Sequence, residues 1–154
     1  MTTSDRELAS HYRNEPLFRG VYCQDEMKGK PKTGCYVVNL QPLTDGSGTH
    51  WAALVLQPIV PVPCWIDSYG VVPPNAVAEF MRSCPGGTGA IYSKLQYQKL
   101  ESENCGYFAV EVIDELLEAM RKKDKNWKED FDDDLTPYPS DHNEREVRKL
   151  KLRK

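Results

Sequence analysis

Four residues in this sequence have the types that acyl transfer by a cysteine nucleophile needs. They occur along the chain as His50, Asp67, Gln98 and Cys105. Attack by a thiol requires a thiolate, a base that takes its proton, a carboxylate that orients the base, and donors that stabilise an oxyanion. The sequence therefore predicts a nucleophile at Cys105, with His50 as its general base.

Cys105 is predicted to begin a helix. Residues with good capping side chains precede it at 102–104, and Gly106 follows it. Apolar residues then recur at steps of four, which predicts a helix with a broad apolar stripe facing the core. Unpaired N–H groups and the helix dipole at this position favour the thiolate, and Gly106 lets a substrate backbone approach closely. The alternative interpretation is a free cysteine that only fills space in the core.

His50 and Asp67 lie at the ends of two predicted strands. His50 follows a glycine-rich turn and starts the strand 50–56, and Asp67 ends the strand 64–67. One antiparallel hairpin would place both side chains at the same end of a sheet, where the carboxylate could orient the imidazole. Alternatively, His50 is a polar residue without a role, and Asp67 only begins a turn over 67–70.

Gln98 precedes Cys105 by seven residues. Its side-chain amide and the backbone N–H of Cys105 could together form an oxyanion hole. Gln96 competes for this role, although the spacing favours Gln98. A metal site that joins Cys105 to His50 and Asp67 would have poor ligand spacing, so no metal is expected.

The elements that would position these residues mix helices and strands, which predicts an α+β domain. Ser4 and Glu7 form a capping box that starts a helix reaching His11 or Tyr12. The other predictions are strands at 35–40, 50–56, 64–67 and 91–98 and helices at 75–82 and from 105 onward. The second and third of these strands are expected to pair as antiparallel neighbours.

The bulk composition is that of an ordinary globular protein. The 154 residues, of which 40% are hydrophobic and 28% charged, fit one domain. We assign 1–140 to this domain and 141–154 to a basic C-terminal tail. No stretch has the pattern of a membrane span or a signal peptide. The five cysteines are odd in number and widely spaced, which indicates free thiols in a reducing compartment.

Three segments together resemble the adenovirus maturation protease (adenain) family, which includes proteases of polinton-like elements, virophages and giant DNA viruses. They are 48–51 around the histidine, 65–70 around the aspartate, and 98–108 from the glutamine through the cysteine. The chain order His, acid, Gln, Cys is typical of this group, to which the proteases of ubiquitin-like modifiers are more distantly related. The resemblance runs from about residue 18 to about residue 117.

The resemblance implies an adenain-like fold, in which a central mixed or antiparallel sheet packs on the helix that starts at the cysteine. It implies the base His50, the orienting acid Asp67, the nucleophile Cys105, the oxyanion donor Gln98 and the groove residues Trp51 and Gly106. The implied reaction is peptide hydrolysis through an acyl-enzyme. Its substrates would be viral precursor polypeptides, cut at Gly-Gly or Gly-X sites during virion maturation.

The same resemblance carries expectations about partners and location. A late viral protein of this kind would act as a monomer in the virion and in the host nucleus or a cytoplasmic virus factory, neither secreted nor membrane-bound. The sequence requires no cofactor, but adenain is activated by DNA and by a disulfide-linked peptide, and Cys84 lies in the general region of the linking cysteine. The basic tail supplies candidate nucleic-acid contacts at Arg148, Lys149, Lys151, Arg153 and Lys154. The competing interpretation is a solvated tail.

Two other functions stay open for this sequence. One is a deconjugating protease for ubiquitin-like modifiers, which would use the same chemistry on a cellular substrate. The other is a catalytically silent binding module of the same fold. The short chain and the spacing of Gln98 favour the viral protease over the first, and the presence of all four catalytic residue types argues against the second.

Overall fold

The computed structural model describes residues 4–29, 31–40, 50–56, 63–84, 90–93, 95–123 and 139–150. Within them the chain forms helices α1 (Asp5–His11), α2 (Asn75–Arg82), α3 (Cys105–Lys122) and α4 (Asp141–Arg148). The strands are β1 (Phe18–Cys23), β2 (Gly34–Asn39), β3 (Trp51–Leu56), β4 (Cys64–Ile66) and β5 (Ile91–Tyr92), and a short 3₁₀ turn spans Gln24–Glu26. The α+β prediction is confirmed at this level.

The strands form one mixed sheet in the order β1-β2-β3-β4-β5. β2, β3 and β4 pair antiparallel, whereas the outer strands β1 and β5 run parallel to their neighbours. The predicted antiparallel pairing of the strands on either side of 57–63 is confirmed, with Ala53 opposite Ile66 and Val55 opposite Cys64. This pairing brings the start of β3 and the end of β4 to the same end of the sheet.

The core lies on both faces of the sheet because alternate side chains of β2 and β3 point to opposite sides. On one face Val37, Ala53 and Val55 belong to the same buried cluster as the apolar stripe of α3. On the other face a second cluster joins the sheet to α2. Both strands are buried along their whole length, so they are the rigid platform on which the neighbouring elements are placed.

One predicted boundary is confirmed and one predicted strand is too long. Ser4 caps α1, with its hydroxyl accepting from the Glu7 N–H at 3.2 Å and the Glu7 carboxylate accepting from the Ser4 N–H at 2.8 Å. The strand predicted at 91–98 is only two residues long. Its continuation turns away from the sheet because the N–H groups of Tyr97 and Gln98 both donate to the Ser68 carbonyl, at 2.8 and 3.0 Å.

β1 was not predicted as a strand. Its residues are all half-buried. Its sequence does not show the alternation of apolar and polar residues that marks a strand with one buried face. Its position depends on Gly34, the first residue of β2, whose φ is +140° and where an added Cβ would lie 2.1 Å from the Leu17 carbonyl oxygen. Only glycine fits this close approach of two backbone segments.

The described part of the expected C-terminal tail is the helix α4, which packs on the domain. Ser140 caps it by accepting from the Asn143 N–H at 3.1 Å. Asn143, Glu144 and Val147 are buried, and Val147 joins the cluster that contains α3. None of the helices in the described ranges is both long and apolar enough to cross a membrane.

Candidate active site

His50 directly precedes β3, at the end of the sheet where β2 ends and β3 begins. Its carbonyl accepts a hydrogen bond from the Leu40 N–H at 3.0 Å, which continues the β2–β3 ladder by one step. β3 pairs with β4 as far as Ala53 opposite Ile66, so the residues just before β3 and just after β4 lie at the same end of the sheet. The backbone hydrogen bonds of the sheet therefore determine where the imidazole is presented.

Asp67 follows β4 directly and is completely buried. Its Oδ1 lies 2.8 Å from His50 Nε2 and also accepts from the Tyr69 N–H at 2.7 Å. The Gly70 N–H donates to the Asp67 carbonyl at 2.8 Å, and Gly70 has a φ of +74°, which closes the turn over 67–70. The predicted turn and the predicted contact with the imidazole are thus both present, and they share one carboxylate oxygen.

Tyr69 was not recognised from the sequence, yet it contacts the histidine directly. Its ring stacks on the His50 imidazole with centroids 4.6 Å apart and planes inclined by 23°. Its hydroxyl lies 3.1 Å from the Ser102 carbonyl oxygen, so it also reaches the loop before Cys105. The signal that could have found it is its place in the predicted turn over 67–70, two residues after Asp67.

Cys105 is the first residue of α3, as predicted, and only 6% of its surface is exposed. Because Nε2 of His50 is committed to Asp67, Nδ1 is the ring nitrogen left for the thiol. Nδ1 makes no hydrogen bond of ordinary geometry within the part of the chain that the structure describes. The Cys105 side chain is nevertheless near enough to both rings to change their pKa values. It contributes to the raised pKa of His50, and it adds to the rise that burial causes in the pKa of Tyr69. Such loose contacts are common in enzymes before substrate binds.

The environment of His50 favours the protonated ring. Burial acts against the charge, but it is outweighed by the hydrogen bond to Asp67, the nearby Cys105 side chain and the negative charges of both groups, which together raise the pKa of His50 to about 9. The imidazole is therefore predominantly an imidazolium at neutral pH. A cation beside a cysteine favours the thiolate that nucleophilic attack requires.

No protein-family model and no curated protein matches this chain. The chemistry of the site is therefore inferred from three contacts that are independent of any relative. They are the His50–Asp67 hydrogen bond, the stacking of Tyr69 on His50, and the action of Cys105 on both rings.

Gln98 is fully buried beside this centre, and its amide is held at both ends. Its Oε1 accepts from the Ser68 hydroxyl at 2.5 Å, while Nε2 donates to the carbonyl oxygen of Ser102 at 2.9 Å and to its hydroxyl oxygen at 3.2 Å. Gln96 points elsewhere, donating to the Gln98 carbonyl at 2.9 Å. The glutamine thus links the residue after Asp67 to the loop before Cys105, and its role as an oxyanion donor stays a prediction.

The other predicted site residues lie in varied surroundings. Trp51 is 4% exposed and lines a small internal space with Phe108, and Gly106 is buried in the first turn of α3. Of the candidate nucleic-acid contacts, Arg148 and Lys149 are exposed on α4, with the Lys149 amine 2.6 Å from Glu146. Lys151, Arg153 and Lys154 lie outside the described residues.

None of the five cysteines forms a disulfide bond. Burial raises the pKa of Cys35 to about 12 and that of Cys84 to about 11. Both are therefore neutral thiols near pH 7, which is the form that reacts slowly. The part of the chain that the structure describes holds no group of three or more His, Cys, Asp and Glu side chains that could bind a metal ion.

Proposed function

We propose that this chain is a cysteine endopeptidase in which Cys105 attacks a peptide carbonyl. The observation that supports the proposal best is the position of His50, held 2.8 Å from buried Asp67 and close enough to Cys105 to interact electrostatically with its sulfur. A nucleophile, a base and an orienting carboxylate arranged in this way make up the catalytic triad of a thiol protease.

The proposed reaction proceeds in two stages. The Cys105 thiolate forms a bond to the carbonyl carbon, and the electron pair of the C=O bond moves to oxygen. When the tetrahedral intermediate collapses, the C–N bond breaks and the leaving amine takes the proton of the His50 imidazolium. Water then attacks the thioester while His50 accepts its proton, and the C–S bond breaks to release the acid and regenerate the site. Asp67 holds the ring and stabilises its charge throughout.

The oxyanion needs two donors, and we propose the backbone N–H of Cys105 and the side chain of Gln98. A substrate oxygen would share the N–H of the longer of the two Gln98 contacts, which is 3.2 Å to the Ser102 hydroxyl oxygen. The shorter contact with the Ser102 carbonyl, at 2.9 Å, would keep the amide in place.

The substrate class follows from the sequence resemblance. We propose polypeptides with Gly-Gly or Gly-X at the cut, of the kind found in viral precursor proteins processed during virion maturation. The same proposal includes an adenain-like fold, activation by DNA or a peptide, and contacts of the basic C-terminal segment with nucleic acid. The five-stranded sheet against α3 is compatible with it.

The decisive test measures peptide hydrolysis and covalent labelling of the cysteines on the same set of variants. The wild-type protein, Cys105→Ala and the matched control Cys84→Ala are incubated with a fluorogenic Gly-Gly peptide and with the corresponding peptide vinyl sulfone. We expect one adduct on Cys105 and hydrolysis in the wild type and in Cys84→Ala, and a rate at least about 10⁴-fold lower in Cys105→Ala. Equal labelling of Cys105→Ala and the wild type would overturn the proposal.

The same experiment separates the two other functions. Faster cleavage of a fusion to a ubiquitin-like modifier than of the Gly-Gly peptide would identify a deconjugating protease. Binding of peptides without hydrolysis, with Cys105 unreactive toward the vinyl sulfone, would identify a silent module.

A further inference from the structure

Glu144 of α4 is a buried carboxylate, 6% exposed, on which three donors from a distant loop converge. Its Oε1 accepts from the Lys99 backbone N–H at 3.0 Å. Its Oε2 accepts from the Ser102 hydroxyl at 2.7 Å and from the Asn104 amide at 2.6 Å. The loop that carries these donors connects Gln98 to Cys105. Glu144, about forty positions further along the chain, thus holds the loop that leads to Cys105.

The Ser102 hydroxyl links Glu144 to Gln98, because it forms hydrogen bonds with both side chains. An ionised carboxylate can only accept, so the single proton of Ser102 must point at Glu144. Both lone pairs of Ser102 Oγ are then left to accept, from the Asn104 N–H at 3.1 Å and from Gln98 Nε2 at 3.2 Å. The hydroxyl is saturated, and its direction is determined by the carboxylate.

The same logic continues to the far end of the glutamine. With Nε2 facing Ser102, Oε1 must face Ser68, whose hydroxyl donates to it at 2.5 Å. The chain Ser68–Gln98–Ser102–Glu144 is therefore a one-way relay of hydrogen bonds that ends on a charge. Bonds in such a chain polarise one another, and a charged acceptor strengthens the last of them.

We propose that Glu144 is a positioning residue that orients the Gln98 amide for catalysis through Ser102. The inference rests on the proposed function, because the direction of Gln98 matters to turnover only if its N–H stabilises an oxyanion. Without the carboxylate, Ser102 could donate to Gln98 instead, which favours the flipped amide with its oxygen toward the developing negative charge. Within the described part of the chain, only the Ser102 carbonyl and the Ser68 hydroxyl would then still oppose that flip.

An amide at position 144 cannot replace the carboxylate. Donors face both of its oxygens, and a glutamine offers an acceptor at only one of them. If the amide oxygen faces Ser102, its NH₂ opposes the Lys99 N–H; if it faces Lys99, its NH₂ opposes Ser102 and Asn104. Glu144→Gln therefore removes the directing charge while keeping the shape of the side chain.

A merely structural role for Glu144 would be docking of α4. That helix is also held by buried Val147 and by the Asn143 amide, which donates to the Tyr97 carbonyl at 3.1 Å. Val147→Ala weakens docking without touching the relay. Glu146→Gln removes a charge from the same helix, at a position that pairs with Lys149 rather than with the loop. These two variants are the matched controls.

The experiment measures kcat and KM on the fluorogenic Gly-Gly peptide, together with Tm and the rate of Cys105 alkylation by iodoacetamide. For Glu144→Gln we expect kcat to fall about tenfold to a hundredfold, less than complete loss of an oxyanion donor, with KM changed less than about threefold. Alkylation needs the thiolate but no oxyanion donor, so its rate should match that of the wild type. Glu146→Gln should behave as the wild type does.

Two outcomes would overturn the inference. One is a kcat for Glu144→Gln equal to that of Glu146→Gln. The other is a kcat loss that follows the Tm loss equally in Glu144→Gln and Val147→Ala, which would assign the effect to helix docking. If the wild type hydrolyses nothing, the proposed function fails, and the relay is then tested by NMR. The Gln98 side-chain amide signals should shift in Glu144→Gln and not in Glu146→Gln; unchanged signals would refute the relay.

Discussion

The Nε2 atom of His50 lies 2.8 Å from Oδ1 of Asp67, and the same oxygen accepts the Tyr69 N–H at 2.7 Å. The turn that closes β4 and the contact that orients the imidazole therefore share one acceptor. Because Asp67 is fully buried, water does not compete for that oxygen. This arrangement assigns Nε2 to the carboxylate and leaves Nδ1 for Cys105.

Asp67→Asn should lower both the rate of hydrolysis and the pKa of His50. The amide keeps an acceptor for Tyr69 but no charge, so Cys105 alone then acts against the burial that opposes the imidazolium. We expect kcat to fall by about 10³- to 10⁴-fold, as when a triad aspartate loses its charge. NMR titration of the His50 ring should give a pKa well below about 9. A pKa that stays near 9 would show that Asp67 does not stabilise the charged ring.

His50→Gln should change how stability depends on pH. In the folded protein the pKa of His50 is raised from 6.5 to about 9, so the ring binds its proton more tightly than in the unfolded chain. This stabilisation is fully present below pH 6.5, declines between pH 6.5 and 9, and is lost above about 9. At full strength it is at most about 3 kcal/mol. Urea unfolding at pH 6, 8 and 10 should show the wild-type advantage over His50→Gln shrinking as pH rises. A constant difference would contradict the shift.

Tyr69 should support catalysis through its ring more than through its hydroxyl. Tyr69→Phe keeps the ring stacked on His50 and loses only the contacts of the hydroxyl with the carbonyl oxygens of Ser102 and Leu100, so kcat should change less than about fivefold. Tyr69→Ala frees the imidazole to leave its productive orientation, and kcat should fall about a hundredfold. Circular dichroism of both variants checks that the fold is kept. Equal losses in the two variants would assign the effect to the hydroxyl.

Cys105 should react with thiol reagents well ahead of the buried structural cysteines. The pKa of Cys35 is raised to about 12 and that of Cys84 to about 11, so neither forms appreciable thiolate at pH 7. Limiting iodoacetamide at pH 7, followed by peptide mapping, should place the first adduct on Cys105. His50→Gln should slow that adduct and leave the slower labelling of Cys84 unchanged. Preferential alkylation of Cys84 in the wild type would contradict this assignment.

The parts of the fold that the sequence predicted well depend on near neighbours in the chain. The capping box of Ser4 and Glu7 joins residues three apart, and the turn over 67–70 closes within four residues. The helix from Cys105 has its apolar stripe at steps of four, and the burial of β3 follows from its run of apolar residues. These patterns report local backbone preference and hydrophobic periodicity, which do not depend on the rest of the chain.

What the tertiary structure alone decided depends on residues far apart in the chain. The sequence by itself determined which residue types could do the chemistry, and it placed His50 and Asp67 at the ends of paired strands. Only the folded chain decided that Tyr69 stacks on His50, that the Gln98 amide is held by Ser68 and Ser102, and that the last helix reaches back to that loop through Glu144. Polar contacts of this kind have no periodicity, because their geometry is determined by packing elsewhere in the molecule.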